Sequence, residues 1–229
     1  MKEELLIHDN TLKHVRNLCI KKFIYYFKKG FTDQKYLDWE RQYKLNAHLE
    51  FQEVLSSSEY RKLLETKQYE LIAALAVRIE SRTNLLFSFE KMALRDAVKT
   101  GAGAKQFALG LYDYIYGEQP LQTRFEMFVD IIAALPHKQK RVLTWPMVTV
   151  FGFIANPKEH IFLKPRVTQK AAEKYRFNFR YVSRPNWKTY RTLLNFAQQI
   201  KNDIQKYKPK DYIDLQSFMW VLGSEEYPD

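Results

Sequence analysis

The residues of this chain best suited to chemistry lie between Lys164 and Arg191, where KPRVTQKAAEKYRFNFRYVSRPNWKTYR carries nine Lys and Arg, one acid and six aromatics. Cationic side chains neutralise phosphates and release counterions, and an exposed aromatic face can stack on an unpaired base, so this mixture suits a nucleic acid. The candidate contacts are Lys164, Arg166, Lys170, Lys174, Arg176, Arg180, Arg184, Lys188 and Arg191, with Tyr181 and Trp187 as stacking platforms. The structural alternative makes Tyr175, Phe177, Phe179, Tyr181, Trp187 and Tyr190 core residues and leaves the cations solvated or paired with acids from the first half. The net charge of +11 favours a polyanion partner, because it is concentrated: residues 164–210 hold thirteen Lys and Arg against two acids. Residues 31–100 balance at eleven of each, and 211–229 carry five acids and no cation.

A second candidate is Thr100-Gly101-Ala102-Gly103-Ala104-Lys105, read as a turn leading into a helix. Its amides and the helix N-terminus, with Gly101, Gly103 and Lys105, could hold a phosphate, and it is similar to the hairpin of helix-hairpin-helix DNA-binding elements. Alternatively the glycines only relieve a tight interhelical turn, and no G-x-x-x-x-G-K-[ST] supports a nucleotide site. A third group is charged residues within apolar helices: Arg78, Glu80 and Arg82, then Glu90, Arg95 and Asp96. Carboxylates beside arginines could bind a metal or exchange protons, or could be structural ion pairs. Glu50 and Glu53 read as solvated.

Nothing calls for a cofactor or a metal. His8, His14, His48, His137 and His160 have no ligand spacing, and Cys19, the single cysteine, rules out an intramolecular disulfide and reads as core. A chain without a signal-peptide pattern at MKEELLIHDN is expected to be cytoplasmic. The longest nearly unbroken apolar run, Trp145 to Ala155, is about half the roughly 20 residues of a membrane helix, so no membrane is expected.

The elements that must position these groups read as helices, since Leu, Ala, Glu, Lys and Gln abound and glycine is scarce. Periodicity predicts helices over Thr11–Lys29, Lys35–Leu55, a short one after Ser56 with Glu59 as its capping box, Gln68–Arg82, Leu85–Val98, Ala104–Tyr116 and Leu121–Leu135. The second is a charged helix that carries Tyr36, Trp39, Tyr43, Ala47 and Phe51 at helical spacing. A basic connector, Pro136 to Arg141, follows. Thr144–Ala155 suits a buried strand or helix, and helix is preferred, with Thr144 as N-cap and Pro146 in the first turn. An extended piece at His160–Leu163 leads to a helix over Gln169–Tyr175. Arg176–Pro185 is irregular or a small β-hairpin near 176–183, because Phe177, Phe179 and Tyr181 alternate with polar residues. Asn186–Tyr207 and Tyr212–Leu222 complete an all-α chain of about ten helices, one domain or a body over 1–135 with a basic module over 136–229.

Tyr36-Leu37-Asp38-Trp39-Glu40-Arg41, Arg82-Thr83-Asn84-Leu85-Leu86-Phe87-Ser88-Phe89-Glu90, Ser183-Arg184-Pro185-Asn186-Trp187 and Ile213-Asp214-Leu215-Gln216-Ser217-Phe218 resemble phrases of an uncharacterised bacterial protein family, which implies no activity. Phe153-Ile154-Ala155-Asn156-Pro157 with Ile161-Phe162-Leu163-Lys164-Pro165-Arg166-Val167 is similar to an element of helical DNA-glycosylase-like domains. In those glycosylases a catalytic aspartate would sit near Lys164, and none is here, so the resemblance implies fold and partner and argues against base excision.

The resulting expectation is a non-catalytic DNA- or RNA-binding protein, in a defence or repair assembly, acting through 164–191. Its rivals are a scaffold that meets an acidic protein partner or its own acidic tail, and an enzyme built on Glu80, Arg82, Glu90 and Arg95.

Overall fold

Helix propensity and apolar periodicity are realised throughout: among the described residues the chain is all-α, with no strand. The structure is a computed structural model describing residues 2–99, 101–136 and 142–229, with side chains from Asn10 onward. Thr100 and the connector at 137–141, with His137, lie outside the described residues, as does the side chain of His8.

Helix α1 (Lys2–Tyr26) stops short of Gly30, whose φ of 59° opens the separate 3-10 turn Gly30–Thr32. A short α2 (Gln34–Tyr36), a π-helical turn (Leu37–Arg41) and α3 (Gln42–Val54) follow one another without a break. A π turn adds a residue and rotates everything beyond it by about 100°. The buried stripe therefore passes through Tyr36, Glu40, Lys44, Ala47 and Phe51, and Trp39 is 57% exposed. Ser56 precedes α4 (Ser57–Glu65) as expected, but its hydroxyl meets Ser58 at 3.3 Å and makes no capping bond.

Helices α5 (Tyr69–Ser81), α6 (Ser88–Ala97), α7 (Gly101–Tyr116) and α8 (Leu121–Ala134) form the middle of the chain, with α7 against both α5 and α8. Helix α9 (Trp145–Ala155) is apolar all round and every residue in it is buried, as an all-round apolar helix requires. Thr144 caps it by accepting from the Met147 N–H at 3.3 Å. Its C-terminal carbonyls are received by α3: His48 Nδ1 lies 2.8 Å from the Ile154 oxygen, and Gln52 donates to Ala155 at 2.7 Å.

Helix α10 (Pro165–Lys174), α11 (Trp187–Asp203) and α12 (Tyr212–Gly223) close the fold. Helix α12 is more central than its pattern implied, since ten of its twelve residues are buried. It lies against α1, α10 and α11. Its contact with α10 depends on Gly223, where a Cβ would stand 2.1 Å from the Val167 carbonyl oxygen. The buried apolar cluster takes residues from 1–135 and 136–229 alike. No described helix is long and apolar enough to cross a membrane.

Candidate nucleic-acid interface

The basic segment starts at the end of α10, where Arg176 adopts φ 54°. The Arg176 N–H reaches the Glu173 oxygen at 3.0 Å and the Phe177 N–H reaches Ala172 at 2.8 Å, the paired bonds of a left-handed helix terminus that ordinarily takes glycine. Lys67 and Lys208 are the other described non-glycine residues with positive φ, both cations beyond a helical turn, where positive charge offsets the helix dipole.

From Phe177 the chain runs as an extended strap to Pro185. Its side chains follow the expected period of two, but the hairpin does not form, because no strand among the described residues pairs with it. Two one-to-three turns, Phe179 N–H to Phe177 O at 2.9 Å and Tyr181 N–H to Phe179 O at 3.0 Å, hold it instead. Phe177, Phe179 and Tyr181 turn inward and Asn178, Arg180 and Val182 turn out. Phe177 stacks on Phe196 with ring centroids 4.7 Å apart. The strap is pinned by the Trp145 indole N–H to the Val182 oxygen (2.8 Å) and by the Thr189 hydroxyl to the Arg180 oxygen (3.1 Å). Asn186 then caps α11, accepting from the Thr189 N–H at 2.9 Å.

This geometry divides the predicted site residues. Arg176, Arg180, Arg184, Lys188 and Arg191 are exposed, and none forms an ion pair with a described acid. The Arg180 backbone touches Thr189 in the first turn of α11, so the strap's cations and those of α11 occupy adjoining surface. Arg166 is exposed on the first turn of α10. Lys170 pairs with Glu225 at 3.0 Å and Lys174 with Asp229 at 2.6 Å.

Lys164 leaves the surface altogether. It is buried, donates to the Leu85 oxygen at 2.7 Å and stands 3.5 Å above the Phe87 ring, and burial pushes its ammonium below the usual lysine range. The two expected stacking platforms are half-buried. Trp187 packs on Phe125 and Tyr190, each 5.9 Å between centroids, and Tyr181 leans on Trp145 and Phe179. The aromatics of this segment thus serve the core, and its exposed chemistry is cationic.

The Glu/Arg quartet does not converge. Arg82 turns outward to Glu50 at 2.7 Å, Arg78 joins it at 3.2 Å, and Arg95 is exposed. Glu80 accepts from the Leu86 N–H and the Thr83 hydroxyl, each 3.3 Å away, with Lys91 at 3.7 Å. Glu90 accepts from the Phe87 N–H at 3.0 Å and from Thr144 at 2.9 Å. Both carboxylates, with Lys164, clamp the loop between α5 and α6. Burial raises the Glu80 pKa. Gly101 and Gly103 belong to the first turn of α7 rather than to a loop. A Cβ on Gly101 would lie 3.1 Å from the Glu70 carboxylate, and Lys105 sits 5.8 Å from the Tyr69 ring. The Glu70 carboxylate thus lies beside the start of α7.

No family model, curated protein or solved structure matches this chain. The described His, Cys, Asp and Glu residues form no group that could hold a metal ion.

A buried polar network between the π turn and α12 escaped the sequence reading. Arg41 donates to Asp214 at 2.6 Å and to Asp211 at 2.7 Å, and the Tyr36 hydroxyl adds a bond to Asp214. Beside it Lys44 reaches Ser217 at 2.8 Å and Glu40 at 3.2 Å, and Tyr227 donates to Glu40 at 2.6 Å. Asp214 and Ser217 inside an apolar helix, with Glu40 and Lys44 four apart, are the signals that could have found it.

Proposed function

We propose that this chain binds nucleic acid, without catalysing a reaction on it, through the strap and the first turns of α11. One observation carries this reading: Arg176, Arg180, Arg184, Lys188 and Arg191 stay exposed on adjoining elements with no ion-pair partner among the described residues, while cations nearby are consumed by acids or by the core. Such a surface replaces counterions along a phosphate backbone. With Tyr181 and Trp187 half-buried in the core, the contacts are to phosphates more than to bases, so the reading is of sequence-tolerant binding. The likeness of 153–167 to an element of DNA-glycosylase-like domains supports the same partner.

The test is a fluorescence anisotropy titration of labelled DNA and RNA oligonucleotides against the wild type and a variant with Arg176, Arg180, Arg184 and Lys188 changed to Glu. The wild type binds and the folded variant does not. Equal affinity for both, with circular dichroism unchanged, would refute the reading. The enzyme alternative has less support, because Arg82 turns to Glu50 and Arg95 is exposed, away from the Glu80 and Glu90 carboxylates.

A further inference from the structure

A groove of about 620 Å³ opens beside the end of α10, lined by Val15, Lys170, Lys174, Arg176 and the acidic segment that follows α12. Asp229 places its carboxylate between two lysines, 2.6 Å from Lys22 Nζ on α1 and 2.6 and 2.8 Å from Lys174 Nζ. Glu225 meets Lys170 at 3.0 Å. Between these acids Tyr227 is buried and bonded to Glu40, and the Pro228 oxygen accepts from Tyr26 at 2.6 Å. The segment is therefore anchored by one aromatic, with an acid on either side laid over a row of cations.

The anchor and the ion pairs differ in strength. The side chains of Glu225 and Asp229 are 92% and 69% exposed, and exposed pairs contribute little because water and salt screen them. They can exchange for other anions while Tyr227 stays in place. Arg176 lines this groove with Lys170 and Lys174 and also begins the strap, so these lysines, with Lys22 beneath Asp229 at 11% side-chain exposure, adjoin the surface of exposed cations.

We infer that Lys22, Lys170 and Lys174 form a second stretch of the phosphate-binding surface, which Glu225 and Asp229 cover in the free protein and which a nucleic-acid backbone uncovers by displacing them. This rests on the proposed function and adds its regulation: the segment 224–229 acts as a polyanion mimic in cis, raising the threshold for binding at low salt and blunting its response to salt, because salt weakens its own ion pairs as well.

The experiment compares three proteins by anisotropy with a labelled single-stranded oligothymidylate over a range of NaCl concentrations. These are the wild type, the double variant Glu225→Gln with Asp229→Asn, and a charge-matched control, Glu118→Gln with Asp130→Asn, whose parent side chains are also exposed. Tyr227 is intact in all three, so the anchor and fold are kept, as thermal melts will show. The tail variant gains on the order of tenfold in affinity at low salt, with a log K against log salt slope steeper by about 2 for the added lysine contacts. Adding Lys170→Ala and Lys174→Ala to it removes most of the gain. If the tail variant and the control shift affinity equally, or neither shifts it, the inference is wrong while the binding function stands. If no protein in the set binds, the proposed function fails and takes the inference with it.

Discussion

Trp145 donates its indole N–H to the Val182 carbonyl at 2.8 Å, so the first residue of the most buried helix holds the middle of the exposed strap. That single bond links the core to the proposed interface: the ring is buried, and the carbonyl it meets belongs to a residue flanked by Tyr181 and the arginines at 180 and 184.

Replacing Trp145 with Phe keeps much of the packing and removes the donor. The Val182 carbonyl then loses its partner, a change that costs about 1–2 kcal/mol. Urea denaturation will show that loss, and hydrogen exchange will show faster amide exchange across 177–183. Unaltered exchange there would mean that the aromatics and the Thr189–Arg180 bond hold the strap without the indole.

Arg176 stands where glycine would be conformationally easier. Arg176→Gly should raise stability by about 0.5–1 kcal/mol by relieving the left-handed backbone, while lowering oligonucleotide affinity through the lost charge. A variant that is both more stable and weaker in binding is the signature of a cation retained for function. Unchanged affinity would assign Arg176 a purely structural place at the helix end.

The Arg41–Asp214 pair joins the π turn to α12 in the interior. Asp214→Ala strips the guanidinium of its closest carboxylate and should cost roughly 3–5 kcal/mol, as breaking a buried pair does. Denaturant midpoints measure this. A loss below about 1 kcal/mol would mean that Asp211 and water replace the carboxylate at little cost.

Acid should unfold the protein in two steps of proton uptake around one cluster. His160 is buried with Nε2 3.4 Å from Glu159, and burial pushes its pKa below the usual value of 6.5. Its unfolded form therefore takes a proton before the native form does, and stability falls as pH drops below about 6.5. Glu159, with His160 Nε2 beside it at 3.4 Å and accepting from Arg124 at 2.6 Å, is lowered from 4.5 to about 2. A depressed carboxylate contributes above its unfolded pKa, so its contribution is lost as pH falls from about 4.5 toward 2. The stability gap between wild type and Glu159→Gln should close over that lower window, and His160→Gln should flatten the upper one. A gap that does not change between pH 5 and 2 would contradict the assignment to Glu159.

The helical class and the start of α9 are legible in the sequence because they rest on local physics: Thr144 before Pro146, and an apolar run that needs burial on every side. Two features are not legible for equally physical reasons. The π turn at Leu37–Arg41 adds one residue to a turn, which exchanges Trp39 and Tyr43 for Glu40 and Lys44 on the inner face, and no apolar periodicity records it. The strap shows strand-like alternation because it is extended with one buried edge, yet pairing needs a partner, and Phe196, Trp145 and Thr189 supply side-chain contacts in its place. The cations at 164–191 are legible as a group. Which of them stay exposed depends on Leu85, Glu225 and Asp229, residues more than thirty positions from the lysine each one meets.

Salt dependence measures most directly whether the exposed cations on the strap and α11 replace the counterions of a nucleic acid, as proposed. For the wild type with duplex DNA, about five phosphate contacts predict a log K against log salt slope of about −4 to −5. A slope near zero, or no binding at low salt, would contradict the account.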